Sequence, residues 1–301
     1  MEFKILGTGS ATPQLDRNPS AFFLTIDQVL FLIDCGEGTQ FRILEHKIKV
    51  SRLKYIMISH LHGDHYFGLV GLISSLNLNK RKDPLTIIGP KGLNEILILQ
   101  FKYSNTILNF ELSFIETQSD TFNLVLDTET FKIESFPLKH RVPCTGFLIT
   151  KKASKRKVIR ESLPENFPLP YYKLLKDGLD VTNELTGEVF LNKNHTVDGE
   201  PEKKIAYCSD TIFDTGIVEY IKNADLVYHE ATFLDEHEQR AQQTFHSTAS
   251  QAAQIANLAN AKQLIIGHYS SRYKTTDSHL QEANIHFDAV NLSKEGDNYI
   301  I

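Results

Sequence analysis

Residues 60–65, the histidine-rich segment, read His-Leu-His-Gly-Asp-His and contain four potential metal ligands. Neutral imidazole nitrogens and carboxylate oxygens are the groups that bind zinc and similar borderline metals. In extended backbone His60 and His62 point to the same side and can bind one ion. The glycine that follows allows a sharp turn, which would direct Asp64 and His65 towards a second position nearby. The spacing predicts a metal centre, and a polar surface loop is the alternative interpretation.

Three other potential ligands follow apolar runs that are typical of buried strands, at His140, Asp210 and His268. A single histidine at the end of a strand is more often a structural residue than a ligand. The three together repeat the pattern of the histidine-rich segment, which favours a common site. We therefore assign the following ligands: His60, His62 and His140 to one ion, Asp64, His65 and His268 to a second ion, and Asp210 as the bridge between them.

The flanks of the histidine-rich segment predict the elements that hold it. Residues 53–59 form a short apolar run typical of a buried strand, and residues 66–76 form a longer apolar run typical of a buried helix. Strand-to-helix turns are where α/β folds carry their chemistry, outside the carboxyl ends of the strands. Strand-like and helix-like runs continue through the rest of the chain, so we predict an α/β (α+β) fold.

Two loops near the amino terminus each allow two interpretations. Residues 7–13 are rich in glycine and serine, so their backbone amides would bind a phosphate, or the loop is a simple tight connection. Asp34 ends a strand-like run. Its carboxylate either orients a metal-binding histidine without touching the metal, or caps a turn.

The composition is that of an ordinary globular protein, with 301 residues of which 41% are hydrophobic and 23% charged. The net charge of −5 argues against a uniformly basic nucleic-acid binder, so a polyanionic ligand would need a local basic patch.

We find no signal peptide, and no apolar stretch approaches the roughly 20 residues of a membrane span, so we expect no membrane partner. Cys35, Cys144 and Cys208 form no CxxC pair and are interpreted as small buried residues in a reducing compartment. We predict a cytoplasmic protein with one domain, residues 1–301.

Residues 151–204 differ in amino-acid composition from the rest of the chain. A cluster of cations opens this segment: Lys151, Lys152, Lys155, Arg156, Lys157 and Arg160. Three prolines then interrupt any helix, and two tyrosines follow. One interpretation is a solvated, irregular insertion. The other is an RNA-facing arm, in which lysine and arginine bind phosphates and tyrosine contacts bases or sugars.

Several motifs together resemble the ribonuclease Z (tRNase Z) family of the metallo-β-lactamase superfamily. The matching segments span the chain in the family's order: residues 6–10, 17–18, 34–40, 60–65, 140–143, 209–211, 229–232, 246–248 and 267–273. The resemblance implies a four-layer αββα sandwich and an endoribonuclease that removes the 3′ trailer from precursor tRNA. Metal-activated water would leave a 3′-hydroxyl on the tRNA and a 5′-phosphate on the trailer. It further implies two Zn²⁺ per subunit, with Mn²⁺ or Fe²⁺ as possible substitutes, and a homodimer.

The resemblance also implies roles for particular residues. The family's ligand scheme falls on the seven residues assigned above, and Asp64 could in addition accept a proton from the attacking water. His246 would protonate the departing 3′ oxygen, and Glu230 would orient its ring. Arg272 and Tyr273 would contact phosphates near the metals.

Residues 151–204 occupy the place of the family's flexible tRNA-gripping arm but lack its Gly-Pro motif. The cations that we expect to contact RNA there are Lys151, Lys152, Lys155, Arg156 and Lys157. The missing motif affects the expected geometry of the arm and does not change the predicted chemistry of the site.

Two other classes of function compete with this one. A binuclear metal phosphodiesterase or arylsulfatase of the same fold would act on small substrates and would not need residues 151–204. A non-catalytic RNA-binding subunit would be expected to have lost metal ligands, whereas all seven candidates are present here.

Overall fold

The computed structural model describes all 301 residues. Its strands are, in chain order, β1 Glu2–Gly7, β2 Ala21–Ile26, β3 Val29–Cys35, β4 Leu53–Met57, β5 Leu85–Pro90, β6 Leu112–Thr117, β7 Asn123–Asp127, β8 Phe131–Leu138, β9 Cys144–Lys151, β10 Lys157–Val158, β11 Val181–Thr182, β12 Val189–Phe190, β13 Thr196–Val197, β14 Lys203–Cys208, β15 Leu226–Glu230, β16 Leu264–Gly267, β17 Val290–Leu292 and β18 Asn298–Ile300. Its helices are α1 Thr39–Glu45, α2 Gly63–Tyr66, α3 Leu69–Leu78, α4 Leu93–Tyr103, α5 Leu169–Lys176, α6 Asn192–His195, α7 Glu238–Thr244, α8 Ala249–Leu258 and α9 Asp277–Asn284.

Fourteen of the strands form two seven-stranded sheets. The first has the order β18-β1-β2-β3-β4-β5-β6, and the second has the order β17-β16-β15-β14-β9-β8-β7. Strands β3 to β6 are parallel in the first sheet, and β14 to β17 are parallel in the second. The other pairings in both sheets are antiparallel. The parallel halves matter for function, because loops after their carboxyl ends are the usual position for a site.

Large apolar side chains fill the space between the two sheets. Phe3, Phe22 and Phe31 come from the first sheet, and Phe147 and Tyr207 come from the second; all are fully or almost fully buried. Burial of each phenylalanine is worth about 1.5–3 kcal/mol relative to exposure. This shared core holds the sheets face to face.

Helices cover the outer face of each sheet. On the first sheet, α1 and α4 contribute Ile43 and Leu97 to one outer core. On the second sheet, α8 and α9 contribute small residues such as Ala252, Ala256 and Ala283, which let the helices lie close to the strands. The predicted four-layer αββα sandwich is confirmed.

The helix predicted at 66–76 is broken into α2 and α3 at Gly68. A Cβ atom at Gly68 would lie 2.1 Å from the carbonyl oxygen of Gly36, so only glycine fits where these chains cross. The chain turns at Gly63 as expected, but it does so by entering α2 and not through a conformation that only glycine can adopt. Gly63 begins α2 with an ordinary helical backbone, and its missing Cβ makes room for the ring of Phe67.

Residues 151–204 form an insertion between β9 and β14 that contains short helices and strands, so it is not irregular throughout, although most of its residues are exposed. Two small two-stranded antiparallel sheets, β10–β13 and β11–β12, lie beside α5. Pro168 is the N-cap of α5 and Pro170 lies in its first turn, where a missing N–H costs no helical hydrogen bond. The insertion has its own small apolar core, made of Leu163, Phe167, Leu175, Val181 and Phe190.

None of the helices is long and apolar enough to cross a bilayer. Cys35, Cys144 and Cys208 are buried and free, as expected for small apolar residues. Burial raises the pKa of the Cys35 thiol to about 12, which makes it a poor nucleophile.

Candidate metal centre

The first predicted ligand group converges at one end of the sandwich. His60 and His62 follow β4, and His140 lies in the turn between β8 and β9. The Nδ1 atom of His62 lies 3.1 Å from Nε2 of His60 and 3.1 Å from Nε2 of His140. Oδ2 of Asp210 lies 3.6 Å and 3.7 Å from the same two Nε2 atoms. The four potential ligand atoms therefore surround one position.

The second predicted group lies beside the first. Oδ2 of Asp64 is 3.4 Å from Nε2 of His65 and 3.3 Å from Nε2 of His268. The other oxygen of Asp210, Oδ1, is 3.5 Å and 3.3 Å from these nitrogens. Asp210 thus presents one oxygen to each group, which is the arrangement that a bridging carboxylate requires.

Hydrogen bonds on the far side of each ring orient the histidines. Nδ1 of His65 donates to Oδ2 of Asp34 at 2.7 Å, so the interpretation of Asp34 as an orienting carboxylate is supported. Nδ1 of His140 donates to the carbonyl oxygen of Phe245 at 2.8 Å, and Nδ1 of His268 lies 2.8 Å from the hydroxyl of Thr232. These contacts leave Nε2 of each ring turned towards the centre, as metal-binding histidines require.

Three residues of this supporting structure have left-handed backbone although none is glycine. The φ angles are 54° at Asp34, 59° at Phe245 and 62° at His268. Such a conformation is costly for residues with a Cβ atom and is found where the surrounding structure imposes it. The backbone therefore helps to set the ring positions.

The residues present fit a pair of metal ions. Nε2 of His65 and Oδ1 of Asp210 are buried and have no hydrogen-bond partner in the chain. Burial alone would lower the pKa of His65, but Asp210, Asp64 and Asp34 raise it well above its usual value. The negative charge of three carboxylates around one buried ring is therefore stabilised by a positive charge at this position, and a bound cation would supply that charge. Burial and the neighbouring His65 lower the pKa of His60, which favours the neutral form that binds metals.

A separate pair lies next to the two groups. Nδ1 of His246 is 2.9 Å from Oε1 of Glu230, which is fully buried. The same carboxylate accepts hydrogen bonds from the backbone amides of Thr211, Thr232 and Ser247, so its orientation is fixed. Burial alone would lower the pKa of His246, but Glu230 outweighs it and raises the pKa to about 9. His246 also lies close enough to Asp210 and His268 to form a third possible ligand group with them.

The two groups open into a cleft of about 570 Å³. Its lining includes three histidines and three arginines: His62, His140, His246, Arg141, Arg240 and Arg272. Arg272 lies over the ring of Phe233 at 5.3 Å. Sequence reasoning missed Arg141 and Arg240; the position of Arg141 directly after a predicted ligand was the one available signal.

Tyr273 does not line this cleft. Its hydroxyl accepts a hydrogen bond from the backbone amide of Leu234 at 3.1 Å and lies 3.0 Å from Nδ1 of His237. Tyr273 therefore joins the segment after β16 to the segment before α7, and its contact with a phosphate stays a prediction.

The cations of the insertion that we expected to contact RNA all have acidic partners within the protein. The pairs are Lys151 with Asp27 and Glu200, Lys152 with Asp127, Lys155 with Asp177, Arg156 with Asp198, and Lys157 with Glu200. Residues 151–204 contain eleven basic and nine acidic side chains, so the insertion is close to neutral.

The amides of the loop at residues 7–13 are engaged within the protein. The amides of Thr8 and Gly9 donate to the carbonyl oxygen of Asn18, and the amide of Ser10 donates to the carbonyl oxygen of Tyr269. The loop is therefore a tight connection at these residues, and its first amides are not free to bind a phosphate.

Comparison with known proteins agrees with this geometry. A model of the anti-Pycsar protein Apyc1 matches residues 1–154, and a model of the beta-lactamase superfamily domain matches residues 195–269. Ribonuclease Z of Bacteroides fragilis (strain YCH46) is 42% identical over 297 residues, which cover 98% of this chain and 97% of the relative. Ribonuclease Z of Cytophaga hutchinsonii is 43% identical over 300 residues, which cover 100% and 96%.

A solved structure is similar along the whole chain as well. The crystal structure of human tRNase Z, short form, superposes with a TM-score of 0.72 at 29% identity and covers 100% of this chain and 99% of that one. The sequence relatives share the length of this protein, and the solved structure shares its fold. The chain therefore belongs to the ribonuclease Z family of the metallo-β-lactamase superfamily.

Proposed function

We propose that this protein is an endoribonuclease that removes the 3′ trailer from precursor tRNA. The products would be a tRNA with a 3′-hydroxyl and a trailer with a 5′-phosphate. The observation that carries the proposal is the position of Asp210 between two histidine groups, in a chain of the ribonuclease Z family. Phosphodiester hydrolysis needs positive charge near the phosphoryl oxygens and a proton donor for the leaving oxygen, and the site has a place for each.

We propose two zinc ions per subunit, although the same donors also suit Mn²⁺ and Fe²⁺. The proposed ligands are His60, His62 and His140 for one ion, Asp64, His65 and His268 for the other, and Asp210 for both. When bound, such a pair of cations supplies an activated water and offsets the charge on the phosphoryl oxygens.

The protein's own groups would handle the protons. Asp64 accepts a proton from the attacking water, and His246 donates one to the departing 3′ oxygen. The raised pKa of His246 supports this role, because a general acid must hold its proton before the reaction. Glu230, held by three backbone amides, keeps the His246 ring in one orientation. Arg272, at the edge of the cleft, contacts an RNA phosphate.

We propose that residues 151–204 act as the arm that grips tRNA. The exposed ion pairs of Lys155 and Lys157 would exchange their carboxylate partners for RNA phosphates, because surface pairs contribute little to stability. Tyr171 and Tyr172, next to Phe167, would add stacking surface.

We further propose a cytoplasmic homodimer. Phe41 and Leu44 on α1 and Phe67 between α2 and α3 are 74%, 73% and 62% exposed, which is high for large apolar side chains. Helices α1 and α3 are neighbours, because Nε2 of Gln40 donates to the carbonyl oxygen of Gly71 at 2.8 Å. A second copy of the chain on this surface would cover these side chains close to the histidine-rich segment.

The test of the proposed activity is cleavage of a precursor tRNA that carries a 3′ trailer, with both product ends mapped. We expect one cut after the discriminator nucleotide that leaves a 3′-hydroxyl. Asp64→Ala, which removes a proposed ligand and proton acceptor, should abolish the cut.

A different result would favour one of the competing functions. Turnover of a simple phosphodiester without cleavage of precursor tRNA would identify a small-substrate hydrolase of the same fold. Binding of precursor tRNA with neither cleavage nor metal content would identify an RNA-binding subunit.

A further inference from the structure

Two arginines line the cleft and are not explained by the proposed chemistry. Arg141 directly follows the ligand candidate His140, and Arg240 lies on α7. Nη2 of Arg141 donates to the carbonyl oxygen of Gln243 at 3.3 Å. Residues three apart on a helix share a face, so Arg240 and Gln243 are neighbours. Both arginines therefore line the cleft beside α7.

The charge of Arg240 has no partner within the protein. It is the one arginine of nine whose guanidinium makes no hydrogen bond or ion pair in the structure. The acidic residues just before it are engaged elsewhere: Asp235 accepts from the Thr248 and Ser250 hydroxyls, Glu236 lies 3.2 Å from Nδ1 of His237, and Glu238 accepts from Gln251. Arg141 likewise has no carboxylate partner, and its one hydrogen bond is to a backbone carbonyl oxygen.

This pattern is the reverse of that in residues 151–204, where Lys151, Lys152, Lys155, Arg156 and Lys157 pair with carboxylates. The whole chain carries a net charge of −5, so unpaired cations beside a catalytic cleft are a local exception. The two carboxylates that line the cleft, Asp64 and Asp210, face the ligand groups. An anion that enters the cleft would therefore meet Arg141 and Arg240 without a competing carboxylate.

We propose that Arg141 and Arg240 bind a backbone phosphate of the RNA other than the one that is cleaved. The proposal rests on the proposed function. Arg141 is adjacent to the first ligand group through His140, whereas Arg272 is near the second group through His268. A nucleic-acid strand that crosses the centre would thus meet an arginine on each side, while the cleaved phosphate lies between them.

Guanidinium suits this role, because its planar N–H groups can donate two parallel hydrogen bonds to one phosphate. Phosphate contacts of this kind set the register of the strand and carry no sequence information. They would distinguish a polynucleotide from a small diester, which offers the site one phosphate only.

The experiment compares wild type with Arg141→Ala, Arg240→Ala and the double variant. The substrates are a precursor tRNA with a 3′ trailer and bis(4-nitrophenyl) phosphate, which has a single phosphate. Arg52→Ala is the matched control, since Arg52 is an exposed arginine at the amino end of β4, opposite to the carboxyl end that leads to His60. Each kcat/KM is measured over a range of NaCl concentrations.

We expect kcat/KM for precursor tRNA to fall roughly ten- to hundredfold in the double variant, which is the scale of a charge-assisted hydrogen bond. The decrease on precursor tRNA should exceed the decrease on the small diester at least tenfold. The slope of log kcat/KM against log[NaCl] should become shallower by about 0.7 to 1 for each RNA phosphate that the variant no longer binds. Arg52→Ala should match wild type in both measurements.

An unchanged salt slope in the double variant, or equal decreases on both substrates, would overturn the phosphate site and leave the proposed function intact. A wild-type protein that cleaves no precursor tRNA would instead show that the proposed function itself is wrong.

Discussion

Asp34→Asn tests whether the buried carboxylate behind His65 supports the metal centre. Oδ2 of Asp34 accepts hydrogen bonds from His65 Nδ1 at 2.7 Å, the Tyr207 hydroxyl at 2.6 Å and the Ser59 hydroxyl at 2.9 Å. Oδ1 accepts from the Ser59 amide at 2.8 Å. Asparagine keeps the shape and tolerates the left-handed backbone at this position, so the substitution changes mainly charge and acceptor number.

The expected effect follows from these four bonds. The amide keeps one acceptor oxygen, so one donor of Ser59 faces an NH₂ group, at a cost of about 1–3 kcal/mol for a buried unsatisfied donor. The bonds from His65 and Tyr207 lose their charged acceptor, at about 1 kcal/mol each. The free energy of unfolding should therefore fall by roughly 3 to 5 kcal/mol. Metal affinity should fall about ten- to hundredfold, because His65 loses the carboxylate that orients it.

Asp27→Asn is the matched control. Asp27 also has a left-handed backbone, with φ of 53°, but it pairs with Lys151 and makes no contact with the histidines. The assay measures metal per subunit after dialysis against chelators of graded affinity, and the free energy of unfolding in urea. The reasoning is refuted if Asp34→Asn retains both metals against the same chelators and unfolds at the same urea concentration as the control.

Three further predictions concern the general acid, the dimer and the response to pH. His246→Ala should keep the wild-type metal content while single-turnover cleavage slows strongly, with His286→Ala as a control that cleaves normally; a loss of metal would instead show that His246 is a ligand. Replacement of Phe41 and Leu44 by serine should convert a dimer to a monomer in sedimentation experiments without loss of fold, because both side chains are largely exposed in one chain; an unchanged mass would place the interface elsewhere. Burial lowers the pKa of His279 from 6.5 to about 4, so the unfolded chain takes up a proton first as the pH falls through this range. The contribution of neutral His279 to the free energy of unfolding is therefore complete above pH 6.5. About 2 to 3 kcal/mol of this contribution is lost by pH 4.5. His279→Phe should therefore lose less stability than wild type between pH 7.5 and 4.5 in urea unfolding, and an equal loss in both proteins would contradict the assignment.

The ligand candidates were predictable from sequence because their signals are local. The histidine-rich segment places four groups within six residues, and His140, Asp210 and His268 each follow an apolar run. Parallel strands bring their carboxyl ends to one edge, so position along a strand was enough to predict a common site.

Other features depend on contacts between distant parts of the chain and were not predictable. At the break, the amide of Gly68 donates to the carbonyl oxygen of Cys35 and not within the helix, a contact that no local pattern reveals. The lysines of the insertion were predicted to contact RNA, and the sequence did not show that Lys157 pairs with Glu200, 43 residues away. Helix α7 was not predicted either, and without it Arg240 could not be placed beside the cleft.

The left-handed backbone at Asp34, Phe245 and His268 has a consequence for how this chain can change over evolution. Each of these residues carries a conformational cost of the order of 1–2 kcal/mol that glycine would avoid. Selection for thermal stability alone would favour glycine at Phe245, and selection for activity opposes change at Asp34 and His268, which supply a hydrogen-bond acceptor and a proposed ligand. In descendants of this chain that have lost the activity, we therefore expect early substitution at His268 and Phe245, whereas the four buried hydrogen bonds of Asp34 would still oppose its replacement.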